Sequence, residues 1–200
     1  MKQLNQYIIE KFKLNSKNIK KQYNYYPKDK KELKELVDKL IEERGNDADL
    51  NDIDTSEIDD MSKLFFLTKF NGDISQWNVS KVKNMSWMFS DTNFNGDISS
   101  WNVSKVENMQ RMFAFSKFNQ DISKWDVSTV ENMREMFYGS KFNEDISEWN
   151  ISNVKDMEQM FAWAKFDKDI SSWNIKDDII IKNMFIYGEL EKNPPKWYHE

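Results

Sequence analysis

The chain has 200 residues, no cysteine and one histidine, His199, so it is long enough for one domain with an appendage, and disulfides, thiolate or histidine-built metal sites and Ser-His-Asp chemistry are excluded. The formal net charge is −5 and unevenly spread: Lys2, Lys11, Lys13, Lys17, Lys20 and Lys21 crowd the start, and the remainder is acidic. No apolar run approaches the roughly 20 residues of a membrane span, and Met1 to Glu10 lacks a signal peptide's apolar core and cleavage site, so the expected location is cytoplasmic, with virion association as the alternative.

Residues 1–28 read as a basic amphipathic arm and linker. Leu4, Ile8 and Phe12 fall at i, i+4 and i+8, with Tyr7 beside them, which predicts a short helix. Leu4, Tyr7, Ile8 and Phe12 are the candidate docking residues for a partner, and a membrane surface is the second choice. The lysines and Tyr23, Tyr25 and Tyr26 together suit nucleic acid. The acidic body opposes a phosphate backbone, so nucleic acid is not the expected partner. Residues 29–48 read as a capping helix, roughly Lys30 to Arg44. Its face is Leu33, Leu36, Val37, Leu40 and Ile41, and Gly45 stops it.

From residue 49 to 188 the chain repeats every 24 residues. Asp-Ile-Ser begins at Asp73, Asp97, Asp121, Asp145 and Asp169, and Trp77, Trp101, Trp125, Trp149 and Trp173 follow four positions later. Met88-Phe89, Met112-Phe113, Met136-Phe137, Met160-Phe161 and Met184-Phe185 recur in the same register. Such a period predicts a solenoid in which each unit buries its apolar side against its neighbours. Ile74-x-x-Trp77-x-Val79 has the spacing of a leucine-rich-repeat strand, with Trp77 and Val79 inward. Ser80 suits a helix N-cap, and Ser104 with Glu107 and Ser128 with Glu131 match a capping box. Val82, Met85, Met88 and Phe89 then fit about two helical turns. The expected fold class is therefore α/β: a leucine-rich-repeat-like solenoid of about six 24-residue strand–helix units, with an N-terminal helical cap and a basic arm. The end units are degraded, Ile53 standing for the tryptophan and Asp178 for the valine. Residues 189–200, with Asn193-Pro194-Pro195-Lys196-Trp197-Tyr198, read as a C-terminal cap or tail.

The stretch Phe94-Asn95-Gly96-Asp97-Ile98-Ser99-Ser100-Trp101-Asn102-Val103-Ser104-Lys105-Val106-Glu107-Asn108-Met109 and its copies resemble the BspA-like leucine-rich repeat family, whose repeats also occur in mycoplasma lipoproteins. The resemblance implies a right-handed α/β solenoid and a role in binding other proteins, often at bacterial surfaces. It carries over no catalytic residue.

The tryptophan row reads as core. The aspartates of Asp-Ile-Ser suit turn hydrogen bonds better than calcium, which needs several oxygens converging on one ion. No cofactor or metal is expected. Asn78, Asn102, Asp126, Asn150 and Asn174 read as exposed, either a stacked amide ladder or a polar surface for a sugar or peptide. The informative positions are those that vary. Gln76, Lys124 and Glu148 share one variable column, and Trp87, Phe115, Tyr138 and Trp163 are aromatics the repeat does not require. They form an interface patch or pack locally against a neighbouring unit. The expected function is a non-enzymatic protein–protein interaction module with the arm as docking element. The alternatives are a structural component of a larger particle, such as a virion or cell-surface assembly, and an adhesin-like surface protein. Partner identity and oligomeric state stay open.

Overall fold

A computed structural model describes residues 23–199; the docking positions Leu4, Tyr7, Ile8 and Phe12 lie outside the described residues. Helix α1 spans Lys30–Arg44. The Asp29 side chain accepts the Glu32 amide at its start, and Gly45, at φ 89°, ends it with its own amide on the Ile41 carbonyl. Leu33, Val37 and Leu40 form the buried stripe, while Leu36 and Ile41 are partly buried beside them. Lys30 reaches Ser62 and the Asp60 carboxylate, and Arg44 grips Asp52 at 3.0 Å, so α1 lies against the first repeat unit.

The units themselves contain neither element expected of them. Among the described residues no β-strand or sheet forms, and past α1 the only helical element is a 3₁₀ turn at Glu189–Lys192. The α/β solenoid of strand–helix units under a helical cap is thereby overturned. The reason is where the backbone amides point. An α-helix would spend them all within one segment. From Met85 onward alternate amides leave the unit instead: Met85, Trp87 and Phe89 donate to the carbonyls of Asn108, Gln110 and Met112 in the next unit, at 2.9 Å each. The amides of Met88 and Ser90 close local turns on Met85 and Trp87. Ser104 and Ser128 consequently cap no helix; their amides are taken by the side chains of Asn102 and Asp126.

Nor is Ile74 to Val79 a strand. Its donors are satisfied by side chains and turns: Ser75 donates to the Asp73 carboxylate, Gln76 to the Asn51 side chain and Trp77 to the Ile74 carbonyl. Parallel pairing survives only as single contacts, running along Asp60, Asn84, Asn108, Asn132, Asp156 and Ile180. The protein is thus a stack of coils built from turns.

Because every coil repeats the same turns, like side chains stack on like. Phe65, Phe89, Phe113, Phe137, Phe161 and Phe185 lie nearly parallel, 5.5–6.0 Å apart. A second row, Phe70, Phe94, Phe118, Phe142 and Phe166, packs against it at 4.1–4.4 Å within each coil. The tryptophan row approaches from across the core, 5.8–6.4 Å from the first phenylalanine row. Each buried indole N–H donates to a carbonyl of the preceding coil, as Trp125 does to Ile98 at 3.2 Å. The stack therefore has a tryptophan side and a phenylalanine side. In the last coil Asp178 is exposed, and Ile179, one residue on, takes the buried place. The tail extends the tryptophan row: Trp197 stacks on Trp173 at 6.3 Å and donates to Ile170, while Tyr198 meets the Phe185 ring edge-on at 5.0 Å.

Candidate functional site

The turns place two residues of each coil in the left-handed backbone region. Lys63, Trp87, Arg111, Glu135, Gln159 and Asn183 form one row, and Leu67, Asp91, Phe115, Gly139, Trp163 and Tyr187 the other, with φ between 53° and 62°. This region crowds Cβ against the backbone and costs a residue other than glycine roughly 1–2 kcal/mol, with Asn and Asp tolerated best. Gly139 and Asp91 suit it. Phe115, Trp163 and Tyr187 do not, and burial offers them little compensation: their fractional exposures are 51%, 55% and 61%.

The four aromatics singled out from the repeat pattern are treated differently. Phe115 leans over Gly139, so that a Cβ there would come within 2.7 Å of the ring, and it meets half-buried Tyr138 edge-on at 5.1 Å. Trp163 sits against Tyr187 at 4.5 Å. Trp87 is enclosed by its own chain: the Arg111 guanidinium lies over its ring at 4.4 Å, Lys63 at 5.7 Å and Phe66 edge-on at 5.4 Å. Phe115, Tyr138 and Trp163 thus share the phenylalanine side, Tyr187 joins them, and Trp87 is spent on packing. Tyr187 carries a signal the sequence reading passed over, since it stands two residues after Phe185 as Trp163 stands after Phe161.

Charged side chains of both signs flank the aromatic row. Two residues past the aromatic row, Lys117, Lys141 and Lys165 repeat as exposed side chains. Before the row, Arg111 and Arg134 both engage Glu135, which is only 5% exposed at its side chain, and Arg134 also engages Glu158. The aspartate row, from Asp73 to Asp169, precedes the tryptophans by four residues, and Gln76, Lys124 and Glu148 are exposed side chains next to those tryptophans in sequence; no hydrogen bond, ion pair or ring contact joins them to Phe115, Tyr138 or Trp163 among the described residues.

Each aspartate Oδ1 accepts the amide two residues on, as Asp97 does from Ser99 and Asp121 from Ser123 at 2.9 Å. These backbone and side-chain hydrogen bonds from serine hold the carboxyls of Asp97, Asp121 and Asp145 below the usual carboxylate value. Asn78 and Asn102 likewise lock their own turns, accepting from Ser80 and Ser104. A second asparagine row links the coils by hydrogen bonds. Asn95, Asn119 and Asn143 donate their amides to the side-chain oxygens of Asn71, Asn95 and Asn119 in the preceding coil, at 2.9, 2.7 and 2.6 Å. Among the described residues no group of acidic, histidine or cysteine side chains is placed to hold a metal, and no helix is long and apolar enough to cross a membrane.

A family model described as "Mycoplasma protein of unknown function, DUF285" matches the chain twice, over residues 31–123 and 105–197. No curated protein and no solved structure matches. The chain belongs to this mycoplasma repeat family.

Proposed function

We propose that this member of the DUF285 family is a non-enzymatic protein-interaction module whose contact surface is the aromatic row Phe115, Trp163 and Tyr187, backed by Tyr138. Residues 1–28 serve as a separate docking element. One observation carries the reading: three large aromatics stand more than half exposed at left-handed positions that Gly139 and Asp91 fill without such conflict. A residue held against local backbone preference, with no buried contact to repay the strain, supports selection for what it touches outside the chain. Aromatics are also the side chains that most often anchor interfaces. The resemblance to BspA-like repeats, whose family members bind other proteins, adds support. The aspartates support a non-enzymatic role, because each is committed to its own turn.

The test is affinity capture from the native source with mass-spectrometric identification. Three baits are used: full-length protein, the double variant Trp163→Gly/Tyr187→Gly, and a version beginning at Pro27. A partner held by the full chain and lost by the double variant is the expected result. Unchanged capture by the double variant removes the aromatic row from the reading, and loss only from the shortened version assigns recognition to the arm.

A further inference from the structure

The last coil is left with an open edge. In every earlier coil one row of backbone amides is taken by the coil that follows: Met157, Gln159, Phe161 and Trp163 donate to the carbonyls of Ile180, Lys182, Met184 and Ile186 at 2.8–3.0 Å. The matching amides of the last coil, at Ile181, Asn183, Phe185 and Tyr187, donate to no acceptor among the described residues. The tail supplies only part of a further coil. Trp197 stacks on Trp173 and Tyr198 meets Phe185, while the Leu190 and Pro195 carbonyls accept from the tail's own amides at Asn193 and Tyr198.

A change of residue makes the same edge apolar. Asp60, Asn84, Asn108, Asn132 and Asp156 form one polar row, and the Oδ1 of each accepts the amide two residues on. Ile180 ends that row, 50% exposed, and the Lys182 amide two residues on has no acceptor among the described residues. Tyr187 stands 61% exposed at the far end of the amide row. An exposed isoleucine where the pattern calls for Asn or Asp, beside a line of open backbone donors, has the character of a sheet edge that another chain extends.

We infer that this edge binds an extended segment of a partner protein, which adds to the stack as part of a further coil. Its alternate carbonyls accept from Ile181, Asn183 and Tyr187, a branched apolar side chain covers Ile180, and an aromatic one lies against Tyr187. The boundary one coil earlier has this geometry: Ile180, Lys182, Met184 and Ile186 meet the amides from Met157 to Trp163, and Tyr187 lies against Trp163 at 4.5 Å. A second copy placed head to tail would instead bring up α1, whose carbonyls are engaged within the helix. This edge lies at the end of the stack and shares only Tyr187 with the aromatic surface proposed above, so it goes beyond that reading.

The experiment follows the backbone amide NMR signals of isotope-labelled full-length protein as a peptide spanning Ile179 to Gly188 is added, with a lysine pair at each end for solubility. That segment already accepts from such an edge within the stack. Shifts are expected at Ile181, Asn183 and Tyr187, and are not expected with a peptide of the same residues in scrambled order. Ile180→Asn restores the polar row and weakens binding by about fivefold or more. Ile181→Pro removes a donor that holds nothing among the described residues and weakens binding by about fivefold as well. Phe115→Gly, in an earlier coil, leaves binding unchanged. No shift at millimolar peptide, equal shifts with the scrambled peptide, or full binding by both edge variants overturns the inference. Shifts confined to the version beginning at Pro27 assign the edge to the chain's own first residues, and loss of binding in Phe115→Gly moves the peptide to the aromatic row; either result also overturns it. Failure of the aromatic surface is separable. If Trp163→Gly/Tyr187→Gly retains the native partner while the peptide still shifts the edge amides of the unaltered protein, the aromatic surface falls and the edge stands.

Discussion

Trp125 and Trp163 occupy the same stack and do opposite things. Trp125 is 4% exposed, packs 6.3 Å from Phe113 and gives its indole proton to the Ile98 carbonyl. Trp163 stands on a left-handed backbone position, more than half exposed, with Tyr187 as its ring neighbour. The inward row is tryptophan in every coil from Trp77 to Trp197, because each ring must fit between its copies and reach a carbonyl of the coil before. The outward row changes at every step, from Leu67 through Asp91, Phe115 and Gly139 to Trp163 and Tyr187. Invariance within the stack marks what holds the coils together. Variation marks what the coils are free to present.

The sharpest way to break this comparison is Trp125→Ala. Removing a buried indole and its hydrogen bond should cost about 3–5 kcal/mol, read as a large fall in the urea midpoint. A cost near zero would mean that the inward row does not carry the stack. Next in size is Asn119→Ala, which removes the oxygen accepting the Asn143 amide between coils. About 1 kcal/mol is expected in the same denaturation experiment, and no loss would reduce the asparagine ladder to a coincidence of spacing.

Acid acts more weakly at each residue but along a whole row. The folded carboxyls of Asp97, Asp121 and Asp145 lie below their ordinary value of 3.8. The unfolded chain therefore takes up protons first as pH falls. The stability these aspartates contribute is complete above that value and is lost as pH drops through the lower folded values. Melting temperature should be insensitive to these groups near neutrality and decline below about pH 4, less steeply in Asp97→Asn/Asp121→Asn. An identical acid profile in that variant would show that the serine amides do not favour the charged form. The smallest effect is expected at Trp163→Gly. Lost contact with Tyr187 is offset by relief of the left-handed strain, leaving stability within about 1 kcal/mol of the parent. A loss as large as that at Trp125 would erase the distinction between the two rows.

Much of the core was legible from residue spacing. The 24-residue register brings like residues together, and an apolar position recurring without exception has to face its own copies. Helix α1 was legible too, since Leu33, Val37 and Leu40 carry a 3.6-residue stripe between an aspartate cap and Gly45. The elements inside the coils were not. Met85 and Met88 are three residues apart, a spacing that a helix and a run of three-residue turns satisfy equally. The alternation of Trp77 and Val79 likewise fits a strand and a side-chain-locked turn.

By itself, then, the sequence determined the repeat, the members of the core rows and helix α1, because these depend on apolar pattern along the chain. Only the tertiary structure decided that the coils are made of turns, since that depends on whether an amide bonds within its own segment or to the coil stacked above it. It alone separated Trp87, held between Arg111 and Lys63, from Trp163, left open beside Tyr187. They stand in different left-handed rows of the repeat, and neighbouring coils bring Arg111 and Lys63 onto the first and only Tyr187 beside the second.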